Sequence, residues 1–85
     1  MFDHVFYNNF HLDIKSLRLD NKNLEQSYEL YGKKEGRFSC EEDFYKEYPE
    51  FNVEFYKNYH TDLSVFKEDK YLFMWHYHNF GKKEN

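Results

Sequence analysis

The residues able to do chemistry are few and poorly spaced for it. His76-Tyr77-His78 sets two imidazoles at i and i+2, which on a helix point about 200° apart and do not share a metal ion. His11 and His60 each stand two residues before an aspartate, Asp13 and Asp62. They read as helix-end residues, because His favours C-terminal turns. Cys40 falls in the first turn of an expected helix, where a thiol can be acidified. No motif sets a His or Asp beside it, so it reads as a packed thiol. Carboxylates are plentiful, as in Glu41-Glu42-Asp43 and in Glu47 with Glu50. Their spacing suits helix N-termini and solvated faces rather than an acid–base pair. The expectation is no enzyme, with no catalytic residue, no metal site and no cofactor.

Rings are what the chain has instead. Ten Phe, nine Tyr and Trp75 make up more than half of the hydrophobic residues, and Ala is absent. A chain of this length buries only about 60–65% of its surface on folding, so some rings stay outside. Tyr and Trp stack on sugar faces and anchor protein partners. The candidate ligand or partner face is therefore Tyr45, Tyr48, Tyr56, Tyr59, Trp75 and Tyr77.

Composition and charge remove other classes. At 85 residues, with 40% hydrophobic and 33% charged residues, one Pro and three Gly, the balance is globular rather than disordered. A net charge of -4, with Arg18 and Arg37 the only arginines, argues against a nucleic-acid module, which needs clustered cations against phosphate. The longest apolar run, Tyr71 to Trp75, is far short of the ~20 residues that span a bilayer, so no membrane association is expected. A lone Cys closes no intramolecular disulfide, which points to a reducing, intracellular compartment.

Positioning the rings falls to a repeat. Laid without gaps on residues 51–85, residues 2–36 show twelve identities: Phe2/Phe51, Phe6/Phe55, Tyr7/Tyr56, Asn9/Asn58, His11/His60, Asp13/Asp62, Asp20/Asp69, Tyr28/Tyr77, Gly32/Gly81, Lys33/Lys82, Lys34/Lys83 and Glu35/Glu84. Roughly three are expected by chance, so the pattern reads as an internal duplication at a spacing of 49 residues. Residues 1–38 form a first copy lacking its leading helix. Residues 39–85 form a second, nearly complete one, and the two together make one small domain that reads as a cut from an array or a small remnant of one. Positions such as Phe6, Tyr7, Asp13, Asp20, Tyr28, Gly32, Phe55, Asp62, Asp69 and Gly81 are then scaffold, since each copy needs its own caps, stop and core rings.

The expected fold is all-α and solenoid-like, with six or seven short helices. Ser39-Cys40-Glu41-Glu42 has the form of a capping box, and Pro49 should end the helix begun there. Asp3 and Asn52 should cap helices at 4–10 and 53–59, with Phe2 and Phe51 stapled onto Tyr7 and Tyr56. Asp13 and Asp62 are expected to cap a further short helix carrying Ile14 and Leu17, or Leu63 and Phe66. Asp20 and Asp69 should cap the longest ones. Leu24, Tyr28 and Tyr31, like Phe73, Tyr77 and Phe80, are spaced to share one buried face. Gly32 and Gly81 are expected to stop those helices in the left-handed region, each followed by a lysine pair.

The pattern Phe-x-x-x-Phe-Tyr-x-x-Tyr-x-x-Asp-Leu from Phe51 to Leu63, then His76-Tyr77-x-x-x-Gly81-x-x-Glu84, resembles short aromatic helical repeats found in and beside glycosyltransferases of mimivirus-like giant DNA viruses. A related bacterial repeat closes on Glu-Gly-Arg, as Glu35-Gly36-Arg37 does here. Phe, Tyr, Lys and Asn, all with AT-rich codons, are abundant, which agrees with a viral source. The resemblance implies an accessory, non-catalytic module. As a binding or spacing element it would hold carbohydrate weakly through Tyr and Trp faces. The alternative is a protein-interaction or assembly module that stacks on neighbouring repeats or a partner, with self-association through the repeat ends.

Overall fold

The computed structural model describes residues 2–81, and every regular element among them is helical. In chain order these are α1 (His4–Phe10), α2 (Leu12–Lys15), α3 (Asn21–Ser27), a π-helical turn (Tyr28–Gly32), α4 (Lys33–Glu35), α5 (Glu41–Glu47), α6 (Val53–Tyr59), a 3₁₀ segment (Thr61–Phe66) and α7 (Lys70–Asn79). The chain divides into two compact units, Met1–Pro49 and Glu50–Asn85. The division falls after α5, so α5, which the repeat spacing assigns to the second copy, lies in the first unit.

Helix starts follow local chemistry. Asp3 and Asn52 hold extended backbone and accept hydrogen bonds from the amides of Phe6 (3.1 Å) and Phe55 (3.0 Å). Each bond satisfies an amide that has no partner inside the helix. The staples form as well, with ring centroids 5.0 Å apart for Phe2 and Tyr7 and 5.5 Å for Phe51 and Tyr56. Asp20 caps α3 through the Asn23 amide, and Asp69 caps α7 through the Tyr71 amide. His11 and His60 are the C-caps of α1 and α6.

Four local expectations are corrected. The cap of α5 is Cys40, whose side chain makes no cap bond. Ser39 stands one residue earlier and donates its hydroxyl to Asp43 (2.7 Å) rather than pairing with Glu42. Asp13 and Asp62 lie inside the first turn of their segments, after His11 and His60, and cap nothing. Ile14 and Leu63 are buried, but Leu17 is exposed because α2 is a single turn ending at Lys15.

The glycines are the fourth correction. Gly32 is right-handed, and the helix runs through it to Glu35, so the left-handed stop is Gly36 (φ 76°). Gly81 does not take positive φ either. Lys33 and Lys34 therefore sit inside a helix rather than beyond its end, while Lys82 and Lys83 lie outside the described residues. Tyr31 and Phe80 leave the buried face. In the first unit the π turn, with its i→i+5 bonding, carries an extra residue and returns Gly32 to the core in place of Tyr31. In the second, the helix ends at Asn79 and Phe80 leaves helical geometry at φ -129°.

Both units pack a ring triad, fully buried in the second and built on buried Tyr7 with partly buried Phe2 and Tyr28 in the first. In the first, Phe2, Tyr7 and Tyr28 pack with Ile14 and Leu24. In the second, Phe51, Tyr56 and Tyr77 lie within 4.9–5.5 Å of one another. The Tyr–Tyr pair is edge-on in both, with centroids 5.5 Å apart. A side chain at Gly32 would collide with the Tyr7 hydroxyl, and one at Gly81 with the Tyr56 hydroxyl. Glycine is required at both positions to let a phenol end approach the backbone. Short helices are marginal alone, and each large buried ring contributes roughly 1.5–3 kcal/mol towards holding them.

Candidate functional site

The second unit carries a cavity of about 330 Å³. Its floor is the triad of Phe51, Tyr56 and Tyr77 with Gly81 beneath, and its aromatic wall is Phe55 and Tyr59 on α6. Those two rings are four residues apart on one helical face and stack on each other at 6.2 Å and 17°. They are 70% and 72% exposed, the largest bare aromatic surface on α6. The polar rim is Glu50, Asn52 and His60.

The polar groups are oriented by their neighbours. Tyr77 donates its hydroxyl to the Glu50 carboxylate, and this bond to the charged form pulls the carboxyl below its usual range. The Tyr56 hydroxyl meets His76 Nδ1 at 2.6 Å. His60 lies tilted over the Tyr56 ring at 4.3 Å and edge-on to Tyr59 at 4.9 Å. Asn52 spends its side chain on the α6 cap. Among the described residues, its backbone N–H, the His60 ring nitrogens and the Asp62 carboxylate make no hydrogen bond.

The corresponding groups of the first unit are all engaged by one segment, residues 37–44. The Asp3 N–H donates to the Ser39 carbonyl (2.9 Å), and His11 Nε2 bonds the Phe38 carbonyl (3.0 Å). Arg37 grips Asp13 through two bonds of 3.0 and 2.7 Å, which hold the Asp13 carboxyl below its usual range. The Arg37 N–H also donates to the Gly32 carbonyl at 3.0 Å. Phe38 and Phe44 then cover Phe10, with centroids 5.8 and 5.6 Å away. Phe10 is 2% exposed, and Phe6, stacked on it at 5.0 Å, is 0% exposed.

Of the aromatic face expected from sequence, Tyr56, Tyr59 and Tyr77 converge on this cavity. Only Tyr59 is an exposed ring, since Tyr56 and Tyr77 are buried. Tyr48 is buried against Phe38 and Phe44 in the first unit, and Tyr45 is half-buried on α5. Trp75 is half-buried and edge-on to Phe80 at 5.7 Å. Glu50, Asn52 and His60 were not picked out by residue type as site residues. The available signal for Asn52 and His60 is their spacing of 49 residues from Asp3 and His11, whose backbone N–H and ring nitrogen bond the Ser39 and Phe38 carbonyls. His76 packs among Tyr56, His60, Phe66 and Phe80, and among the described residues no three metal-binding side chains converge. No helix among those residues is long and apolar enough to cross a membrane. No protein-family model, no curated protein and no solved structure matches the chain.

Proposed function

We propose that the chain is a non-catalytic protein-interaction module built from two copies of one aromatic helical repeat, and that it works by stacking such units on one another. One observation carries the reading. Phe6 and Phe10 are sealed by an aromatic segment, whereas Phe55 and Tyr59, at the same register in the other unit, are bare. Repeat units bury a continuous core only by stacking neighbours, so a bare unit face is a binding surface. The resemblance to repeats that accompany glycosyltransferases supports an accessory role, because those repeats flank the chemistry rather than perform it.

The test is a longer array in which residues 36–85 follow directly on residue 84, which keeps the spacing of 49 residues. Stacking predicts one cooperative unfolding transition at higher temperature than the parent chain. An unchanged midpoint for the original units, with the added unit melting separately, would sink the proposal. A second reading, weak carbohydrate binding, is favoured by the exposed Tyr59 ring beside the polar edge of Glu50 and His60. A multivalent glycan array decides it: sugar-selective binding abolished by Tyr59→Ala would establish that reading in place of the first.

A further inference from the structure

The cavity of the second unit has the shape and the anchors of a seat whose occupant is visible once in this molecule. In the first unit that occupant is the run Arg37-Phe38-Ser39 followed, after four residues, by Phe44 on α5. Each of its attachments has a counterpart 49 residues on. The Asp3 N–H that takes the Ser39 carbonyl corresponds to the Asn52 N–H. His11, which takes the Phe38 carbonyl, corresponds to His60, and Asp13, which holds Arg37, corresponds to Asp62. Phe10, packed on Phe44 of α5, and Phe6, stacked on Phe10, correspond to Tyr59 and Phe55.

From this match we infer that the second unit docks a partner polypeptide carrying the pattern Arg-Phe-Ser-x-x-x-x-Phe, with the last Phe on a short helix. The inference rests on the protein-interaction reading and adds the ligand's chemistry and register. The partner's Arg pairs with Asp62. Its Phe and Ser carbonyls take His60 and the Asn52 N–H, and its second Phe lies on the Phe55–Tyr59 wall. The acidic Asp62 selects for the cation, and the two backbone bonds fix direction and register without reading side chains. The occupant is not the run of a second copy of this chain, because that run is already held in its own first unit by the Asp3, His11, Asp13 and Gly32 groups.

The experiment titrates the full ¹⁵N-labelled chain with a synthetic peptide of residues 36–48. The expected result is saturable shifts at Asn52, Phe55 and Tyr59, with slowed exchange of the Asn52 amide. Replacing Arg37 by Ala in the peptide, or making Asp62→Asn in the chain, should each weaken binding by up to about fivefold, and the two together no further. Phe55→Lys should abolish the shifts while leaving the chain folded, since that ring is largely exposed. No shifts at millimolar peptide, or shifts confined to the first unit, would overturn the inference. So would a dimer in sedimentation whose Asn52 amide is protected without peptide, because the occupant would then be a second copy. If the fused array is stabilised and the peptide still fails to bind, stacking stands and this seat falls. If the array gains nothing and the peptide also fails, both fall.

Discussion

Phe6 and Phe55 are the same residue on matching helices, each three residues beyond its cap, yet one is sealed and the other is 70% exposed. Nothing in α1 or α6 causes the difference. It comes from residues 37–44, which pack on Phe10 within the first unit, where no described segment of the second unit covers Phe55. Burial here is a property of the neighbour, so an identical residue serves as core in one unit and as surface in the next. The largest expected effect follows from this. Phe6→Ala should destabilise the chain by about 3–5 kcal/mol, the cost of emptying a packed aromatic site. Phe55→Ala should stay within about 0.5 kcal/mol, as exposed substitutions do. Urea denaturation of the two variants measures both, and equal losses would erase the distinction.

The glycines are where the two units agree. In each, the Tyr hydroxyl approaches the glycine where a Cβ would stand, with a second Tyr ring carbon 3.1 Å from that point in the first unit and 2.9 Å in the second. Gly32→Ala and Gly81→Ala should each cost about 1–3 kcal/mol by overpacking. In the first unit a helical gain of up to about 1 kcal/mol partly offsets the cost, since Gly32 has helical geometry. Tyr7→Phe added to Gly32→Ala should recover most of the loss by removing the colliding oxygen. A double variant no more stable than Gly32→Ala would show that the backbone, not the phenol, is the obstacle.

How far such features can be read without coordinates depends on the reach of the interaction. The spans 4–10 and 53–59 follow from a cap and a staple within five residues, so they are legible. The roles of Gly32 and Asp13 are not, because their partners Tyr7 and Arg37 lie about 25 residues away in sequence. Ser39 misleads for a different reason. Ser-x-x-Glu and the actual pairing of Ser39 with Asp43 are both satisfied by local chemistry, and a one-residue shift of the helix start chooses between them. The candidate site was half legible. Tyr56, Tyr59 and Tyr77 reach one cavity, but their exposure depends on what covers the unit, which residue type does not encode.

The core tyrosines separate the units again. The Tyr7 hydroxyl is buried and has no hydrogen-bond partner among the described residues, whereas the Tyr56 hydroxyl meets His76, where the first unit has Ser27. An unsatisfied buried hydroxyl is a cost, and a paired one a modest gain. Tyr7→Phe should therefore stabilise by about 1 kcal/mol, and Tyr56→Phe should destabilise by about the same amount. Burial also raises the Tyr7 phenol above its ordinary value of 10.0. Its contribution is complete below pH 10 and is lost as pH rises through the higher folded value. Tyr7→Phe should flatten that alkaline limb in thermal melts recorded between pH 9 and about 11.

The smallest contrast concerns Asp13 and Asp62. Asp13 is held ionised first by its hydrogen bonds from Arg37, below its ordinary value of 3.8. A depressed carboxyl contributes stability that is present above the unfolded value and disappears as pH falls through the folded one. The Asp13 side chain is 65% exposed, so solvent screening limits the pair to under about 1 kcal/mol. Asp13→Asn should lower the melting temperature slightly at pH 6 and by less as pH falls through the folded value, whereas Asp62→Asn, with no cation in its grip among the described residues, should not lower it. Binding of the Arg-Phe-Ser peptide should remove that asymmetry, making Asp62→Asn as costly to the complex at pH 6 as Asp13→Asn is to the free chain. An Asp62→Asn complex that melts with the parent complex would mean that the peptide's cation does not reach Asp62, and the equivalence of the two seats would end at the aromatic wall.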